Sequence, residues 1–280
     1  MEIPLFQVDA FTDRTLGGNP AAVMPLESWL PDELLQAIAD ENHLSETAFL
    51  VPSSDSEVDF EIRWFTPLAE MDLCGHATLA SGHVLFEHLG FAGDTVRLSG
   101  KLGAMSVSRE GELLVLDFPA RRATPVEIPA ELPRILGAEP LEVHRARCFL
   151  VVFADESTVR GLDPDITGIA GLDVMSVLAT APGDDAKVDF VSRYFAPRVG
   201  IPEDPVTGSA HCTSAPYWAE RIGRDDLLAH QVSARGGEIH CRVRGDRVLI
   251  GGRAATYLTG VARVPDSCGA GGEPSIPRRR

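Results

Sequence analysis

The chain contains an internal repeat in which the two copies are offset by 130 residues. Residues 59–67 (DFEIRWFTP) align without a gap to residues 189–197 (DFVSRYFAP), and five of the nine positions are identical. Two further blocks follow in the same order: residues 75–90 align with 208–223, and residues 98–114 with 232–248. Solenoid units are shorter, at about 20–50 residues. The repeat therefore predicts two copies of one domain related by pseudo-symmetry; coincidental similarity between two α/β segments is the alternative.

The residue pattern within each copy predicts a strand followed by a long helix. Residues 59–66 and 189–196 are rich in β-branched and aromatic residues, which favours strands. Residues 76–89 and 209–222 place apolar residues at helical spacing, and each segment is followed by a glycine that can end the helix. Pro216 falls inside the second of these helices, where it should remove one hydrogen bond and bend the axis.

Most of the remaining pattern predicts strands. The further predicted elements are an amphipathic helix at 31–42, strands at 2–12 and 147–154, and hairpins at 96–118 and 232–250 that turn at Glu110-Gly111 and Arg244-Gly245-Asp246. Each copy is thus mostly strand around a long helix, which is an α+β fold. We expect halves at 1–119 and 120–264, followed by a flexible tail at 265–280.

The charge balance excludes several classes of partner. The 41 Asp and Glu residues exceed the 25 Lys and Arg residues, giving a formal net charge of −16. The field of such a chain repels nucleic acid and anionic lipid. Five cysteines without a C-x-x-C pair, and an N-terminus without the features of a signal peptide, predict a cytoplasmic protein with no membrane association.

Both copies place a glycine at the start of the predicted long helix. Gly75 follows Cys74 in the first copy, and Gly208 follows Thr207 in the second. A helix N-terminus presents unpaired N–H groups and the positive end of the helix dipole, and glycine lets an anion approach the backbone closely. If the halves pack about a pseudo-twofold axis, the two helix ends form a cleft for a small acidic molecule.

The polar residues near these glycines differ between the copies, as catalysis on an asymmetric substrate requires. The first copy offers Cys74 and His76, and the second offers Glu203, Asp204, Thr207, Ser209 and His211. A thiol at a helix N-terminus has a lowered pKa and can act as a base or nucleophile; a small buried apolar residue is the alternative role for Cys74. Because Thr207 stands opposite Cys74, a mechanism with two thiols is excluded.

Glu46 is a third candidate, in the segment HLSETAFL at 43–50. Alternation places it on the same strand face as Ala48 and Leu50, the apolar side. Burial raises the pKa of a carboxyl group and suits it to proton transfer near neutral pH. A solvent-exposed glutamate on an edge strand is the alternative, and the spacing alone favours that alternative.

No metal-binding or nucleotide-binding motif occurs in the sequence. The histidines lack the H-E-x-x-H spacing, there is no Walker motif, and Gly17-Gly18-Asn19-Pro20 does not match a dinucleotide fingerprint. We therefore expect the chemistry to need neither a metal nor another cofactor.

Four motifs in order carry a resemblance to a known family. They are GGNPAAV (17–23), HLSETAFL (43–50), CGHATLAS (74–81) and GIPEDPVTGSAH (200–211). The chain resembles the PhzF family of phenazine-biosynthesis-like proteins, which are relatives of diaminopimelate epimerase. The resemblance implies two pseudo-symmetric domains, each a β-barrel-like sheet around a central helix, with the active site between them. It also implies a homodimer.

The resemblance further implies cofactor-independent isomerisation by proton transfer at carbon. The family's general acid/base falls on Glu46, which reverses the solvent-exposed interpretation of that residue. The other implied site residues are His76, Asp204 and the backbone around Gly208 and Ser209; we also count Asn19, Cys74 and Gly75 as candidate substrate-binding residues. Diaminopimelate epimerases use one cysteine from each half, and Thr207 replaces one of them here.

These observations lead to one hypothesis and two alternatives. The hypothesis is an isomerase in which Glu46 moves a proton between carbons of a small carboxylate-bearing substrate. The alternatives are an amino-acid racemase or epimerase that uses Cys74, and a non-catalytic protein that binds small anions in the same cleft.

Overall fold

The computed structural model describes residues 1–265, which form 18 β-strands and six α-helices. The strands are β1 (Glu2–Ala10), β2 (Asn19–Pro25), β3 (Glu46–Pro52), β4 (Phe60–Phe65), β5 (Glu70–Met71), β6 (Thr95–Gly100), β7 (Gly103–Glu110), β8 (Leu113–Pro119), β9 (Thr124–Val126), β10 (Glu142–Arg145), β11 (Phe149–Val152), β12 (Val177–Pro182), β13 (Phe190–Ala196), β14 (Ile201–Asp204), β15 (Asp226–Gln231), β16 (Gly237–Arg244), β17 (Arg247–Gly252) and β18 (Ala254–Arg263). The helices are α1 (Asp32–Asn42), α2 (Gly75–Glu87), α3 (Leu132–Leu136), α4 (Glu156–Gly161), α5 (Ile166–Gly171) and α6 (Gly208–Ile222), and one 3-10 turn covers Pro197–Val199. The predicted tail lies outside the described residues, apart from Pro265. No helix in the described part is long and apolar enough to span a membrane.

All the strands belong to one mixed sheet in which the same order of pairings occurs twice. We call residues 1–119 the first part of the chain and residues 120–264 the second part. In the first part, β2–β3 and β4–β6 are parallel, and β3–β4, β6–β7 and β7–β8 are antiparallel. In the second part, β11–β12 and β13–β15 are parallel, and β12–β13, β15–β16 and β16–β17 are antiparallel. Each parallel pair is joined through at least one helix, because a parallel connection must return the chain to the same end of the sheet.

Two antiparallel pairs connect the two parts of the sheet. Strand β8 pairs with β17, from Leu114 opposite Gly252 to Pro119 opposite Arg247. Strand β1 pairs with β18 along its whole length, although β18 comes last in the chain. The sheet therefore continues across the predicted boundary between residues 119 and 120.

Helices α2 and α6 lie in the interior, within one hydrophobic core that contains residues of both parts. Small residues make this burial possible, because they allow a helix to approach the surrounding strands on every side. A Cβ atom added to Gly82 would lie only 2.6 Å from Cγ1 of Val107 in β7. The observed bounds of α2 and α6 agree with the long helices predicted at 76–89 and 209–222 within two residues at each end.

The remaining helices cover the opposite face of the strands. Helix α1, predicted at 31–42 and found at Asp32–Asn42, packs against Phe49 and Val51 of β3. Ala48 and Leu50 of the same strand face the interior core around α2. Helices α3, α4 and α5 form a similar outer layer over β12 and β13. Each part is therefore layered as outer helix, sheet and central helix.

Two hairpin predictions need correction. The segment 96–118 forms three strands instead of two, because the chain also turns between Gly100 and Gly103, where Gly103 has a φ of 110° that suits glycine. Within 232–250, strand begins only at Gly237. The predicted turns at Gly111 and Gly245 are correct, and both glycines have positive φ.

Pro216 lies inside α6, and the helix continues through it. A proline has no N–H group, so the carbonyl of Cys212 loses its donor four residues later. The backbone N–H of Arg121 donates to this carbonyl at 2.8 Å. The missing helical hydrogen bond is thus replaced by one from the segment after β8.

Candidate active site

The N-termini of the two central helices meet at a cleft between the two parts of the chain. A Cβ atom added to Gly75 would lie 3.9 Å from the backbone nitrogen of Ser209, so the two helix ends are adjacent. The backbone N–H groups of Gly75, His76, Gly208 and Ser209 make no hydrogen bond within residues 1–265. Free N–H groups and two positive dipole ends that converge on one place favour a bound anion.

Glu46 is the first residue of β3, and its side chain is buried beside this cleft. The residue is 7% exposed, and its Oε2 atom makes no hydrogen bond within the described residues. Nε2 of His76 lies 3.0 Å from Oε2 and forms an ion pair with it, although the approach is poorly aligned for a hydrogen bond. The cation of His76 is thus the one close partner of this carboxylate among the described residues, which leaves the carboxylate able to accept a proton from a bound molecule.

His76 is held between Glu46 on one side and Cys74 and Asn19 on the other. Its Nδ1 atom lies 3.5 Å from Sγ of Cys74 and 3.2 Å from Nδ2 of Asn19. Burial alone lowers the pKa of His76, but Cys74 and Glu46 raise it well above the ordinary histidine value. The direction of this shift favours the imidazolium form of His76 beside the carboxylate of Glu46.

Cys74 is buried at the N-terminal cap of α2. Burial, followed by the charge of Glu46, raises the pKa of its thiol above the ordinary value. The expectation of a lowered pKa is therefore wrong: the helix dipole is outweighed by desolvation and a neighbouring carboxylate. At neutral pH the thiol is protonated, which makes it a poor base.

Asp204 ends β14 and is 8% exposed. Asn19 donates to its Oδ1 atom at 2.7 Å, and the hydroxyl of Thr207 donates to its Oδ2 atom at 2.5 Å. Burial raises the pKa of Asp204 to about 6; His76 acts against this rise and Glu46 adds to it. The carboxyl group thus changes charge within the physiological range.

Asn19 links the residues from the two parts of the chain. It is fully buried at the start of β2, and its amide nitrogen also donates to the carbonyl of Val206 at 2.8 Å. Gln231 supports the other side of Asp204 by donating to its carbonyl at 2.7 Å and accepting from the N–H of Thr207 at 2.8 Å. Asn19 thus positions its neighbours, and Gln231 had no sequence motif that could have revealed it.

The cleft contains a cavity of about 150 Å³. The predicted residues that line it are Glu46, Cys74, Gly75, His76, Asp204, Thr207, Gly208 and Ser209. Two of the other polar residues near the second glycine lie elsewhere. Glu203 pairs with Arg193, and the fully buried ring of His211 bonds to the carbonyl of Thr207, with burial lowering its pKa to about 4.

The sequence analysis missed two cations and an aromatic residue in the cavity lining. These are Arg121, Arg147 and Tyr194. Arg121 follows β8, and Arg147 lies in the turn between β10 and β11, so neither belongs to a recognisable motif. Burial raises the pKa of Tyr194 to about 12, and its hydroxyl lies 2.6 Å from that of Ser176.

Glu46, Cys74 and His76 also form a set of possible metal ligands. One donor atom from each lies within 4.8 Å of the others. A carboxylate, a thiolate and an imidazole together suit zinc or another thiophilic divalent ion. The expectation that the chemistry needs no metal stays a prediction.

Comparison with known proteins identifies the class and then the family. A family model described as phenazine biosynthesis-like protein matches residues 8–260. An uncharacterized isomerase of Pseudomonas aeruginosa is 51% identical over 264 residues, which cover 94% of this chain and all of that protein. The protein is accordingly an enzyme of the isomerase class. The chain belongs to the PhzC–PhzF family.

Solved structures agree with this assignment. A phenazine biosynthesis protein of the PhzF family from Enterococcus faecalis has a TM-score of 0.91 and 43% identity, covering 94% of this chain and 100% of that one. A hydroxyproline epimerase from Agrobacterium vitis has a TM-score of 0.58 at 13% identity, covering 93% of this chain and 92% of that one. The second likeness shows a common fold alone.

Proposed function

We propose that the protein moves a proton between carbon atoms of a small carboxylate-bearing substrate, with Glu46 as the general acid and base. One observation carries this proposal: the buried carboxylate of Glu46, paired with His76 alone, lines a cavity where two helix N-termini converge. A base and an oxyanion-binding site in one small cavity are the two elements that removal of a proton beside a carboxylate requires.

The reaction needs no atoms beyond those of the substrate. Glu46 takes a proton from a carbon next to a carboxylate or a double bond, and the electron pair of the broken C–H bond delocalises into that group. The N–H groups of Gly75 and Gly208 stabilise the resulting negative charge. Glu46 then returns the proton to a different carbon, so that the double bond shifts and the net composition is unchanged.

His76 and Asp204 support this transfer. The imidazolium of His76 lies 3.0 Å from Glu46 and compensates the charge of its carboxylate before the first proton transfer and after the second. Asp204 holds the amide of Asn19, which in turn contacts His76. Both residues therefore orient the base and adjust the charge around it.

The test is proton exchange in D₂O, followed by proton NMR, with a panel of dihydroaromatic and amino-acid carboxylates. We expect deuterium to enter a carbon position, and Glu46→Gln to lower the rate by about 10²–10⁴-fold. Glu41→Gln is the matched control, since Glu41 is exposed on α1 and carries the same change outside the cavity. Equal rates in wild type and Glu46→Gln would contradict the assignment.

The same experiment separates the two alternatives. A racemase or epimerase that uses Cys74 requires Cys74→Ala to abolish exchange, whereas the raised pKa of this thiol leads us to expect that exchange persists. A binding protein without catalysis would bind carboxylates but exchange no proton. The position of the deuterium distinguishes migration of a double bond from epimerisation.

We also infer that the two parts of the chain are pseudo-symmetric copies, each a sheet around a central helix. The repeated order of strand pairings and the sequence repeat support this inference. A homodimer and a cytoplasmic location stay predictions. The substrate is expected to be a small acid, in agreement with the converging helix ends.

A further inference from the structure

Arg121 and Arg147 are cations without a partner in the lining of the active-site cavity. Neither guanidinium group makes a hydrogen bond or an ion pair within residues 1–265, and Arg14 is the one other arginine there of which this is true. The chain has 41 acidic residues against 25 basic ones, so acidic partners are abundant. Arg121 is half-buried and Arg147 is exposed, so both are accessible to a ligand, and their shared place in the cavity lining indicates a binding role.

The backbone holds both arginines in fixed places. The N–H of Arg121 donates to the carbonyl of Cys212, which Pro216 leaves without a helical donor. Arg147 lies at the tip of a tight turn closed by a hydrogen bond from Ala146 to Cys148 at 3.0 Å. A fixed backbone leaves only the side-chain torsions of each arginine to be ordered when a ligand binds.

Both guanidinium groups belong to side chains that line the same cavity of about 150 Å³. Arginine presents its N–H donors in a planar fork, which matches the two oxygens of a carboxylate and also fits a phosphate. Two such forks in the lining of one small cavity thus suit an anionic group of a ligand.

We infer that Arg121 and Arg147 form a second anion-binding subsite, and that the substrate is a small dicarboxylate. This inference rests on the proposed function, which places the first carboxylate at the converging helix ends. The second carboxylate then lies on the arginines, and the substrate spans the cavity between them. A cavity of about 150 Å³ restricts this substrate to a small molecule.

The test measures binding by titration calorimetry with matched probes, so it does not require turnover. Succinate and butyrate have the same number of carbon atoms but two and one carboxylates. We expect the wild type to bind succinate about 10-fold or more tightly than butyrate, because the second carboxylate gains charge-assisted hydrogen bonds. Arg121→Gln and Arg147→Gln should each reduce this preference. Arg147→Lys should keep more of it than Arg147→Gln does but less than the wild type, since lysine lacks the planar fork of arginine.

Arg122→Gln is the matched control, because Arg122 neighbours Arg121 but does not line this cavity. It should keep the full preference for succinate. Equal affinities for succinate and butyrate, or no measurable binding of either, would overturn the subsite. Tighter, arginine-dependent binding of 3-phosphonopropanoate would overturn the carboxylate assignment in favour of a phosphoryl group.

The subsite and the proposed function fail in different ways. If succinate is preferred through the arginines, but no dicarboxylate exchanges a proton in D₂O, the subsite stands and the isomerase does not. If monocarboxylates exchange through Glu46 at rates that Arg121→Gln and Arg147→Gln leave unchanged, the isomerase stands and the subsite does not. Glu46→Gln should keep the preference for succinate in either case.

Discussion

Asp204 is a buried carboxyl group whose ionisation couples the site to pH. Its pKa rises to about 6, chiefly through burial, although Asn19 and Thr207 both donate hydrogen bonds to its charged form. Removal from water thus outweighs two good hydrogen bonds. At neutral pH the carboxyl group of Asp204 is ionised, and the burial of this charge lowers the free energy of unfolding.

This shift predicts how the free energy of unfolding depends on pH. The pKa is raised from 3.8 to about 6 on folding, so the stability that Asp204 contributes is fully present below pH 3.8 and is lost as the pH rises through about 6. Asp204→Asn removes this titration. We expect the stability of the variant relative to wild type to increase by about 1 kcal/mol between about pH 5 and pH 8.

Urea unfolding at the two pH values measures this difference. Comparing the same pair of proteins at both values cancels the hydrogen bonds that the variant alters at every pH. Asp117→Asn makes the same chemical change at a half-exposed position outside the cavity and serves as the control. A stability difference that is the same at both pH values would show that Asp204 does not titrate in this range.

The sequence could identify the residues that belong to local motifs, but not those that come from distant segments. His76 and Asp204 stand close to the repeated glycines, whereas Glu46 was assigned through the family resemblance against its local spacing; the structure brings all three to one cavity. Arg121 and Arg147 reach that cavity from a connecting segment and a turn, where local spacing carries no information. The pKa of Cys74 was predicted in the wrong direction because desolvation depends on the packing of the complete fold.

The central helices depend on close contact with the strands around them. Gly82 of α2 lies so near Val107 of β7 that no side chain fits between them without displacement. We expect Gly82→Val to lower the free energy of unfolding by about 1–3 kcal/mol through overpacking. Chemical denaturation measures this loss directly.

Two further variants control for the choice of residue. Gly161→Val places the same side chain on α4, where an added Cβ has no neighbour within 4 Å, and should change stability little. Combining Gly82→Val with Val107→Ala exchanges volume between the two positions and should recover part of the loss. A Gly82→Val protein as stable as the Gly161→Val protein would refute the close contact.

Helices and strands could be predicted where the apolar residues recur with one clear period. Turns were harder to predict from the sequence. The helix at Asp32–Asn42 shows a regular apolar face and was placed within one residue. The additional turn between β6 and β7, from Gly100 to Gly103, was missed because the whole segment 96–118 was interpreted as one hairpin that turns at Glu110-Gly111. Pro216 suggested a bent helix because proline has no N–H group. The donor that replaces it belongs to Arg121, 95 positions earlier in the chain, so local sequence could not reveal it.

Over the complete fold, the strand pairs β8–β17 and β1–β18 join the two parts into one sheet. Neither pair follows from the sequence repeat. A repeat predicts which helices and strands each copy contains, but not which strands of one copy pair with strands of the other. The central hydrophobic core likewise includes residues of both parts. We therefore expect the described part of the chain to unfold as one cooperative unit.

The tryptophans provide a test of this cooperativity. Trp29 and Trp64 lie in the first part of the chain and Trp218 in the second, where it is buried in α6. Trp218→Phe leaves fluorescence from the first part alone, and Trp29→Phe/Trp64→Phe leaves it from the second. In each variant the urea midpoint from fluorescence should equal that from far-ultraviolet circular dichroism. Separate midpoints would show that the two parts unfold independently.

The meeting of the two helix ends has a mechanical consequence for the protein. The N-termini of α2 and α6 carry partial positive charges of about half an elementary charge each, and like charges this close repel one another. The strand pairs that join the two parts therefore hold the cleft closed against an outward force. An anion placed between the helix ends is attracted to both of them, so its binding offsets this repulsion and should stabilise the contact between the two parts.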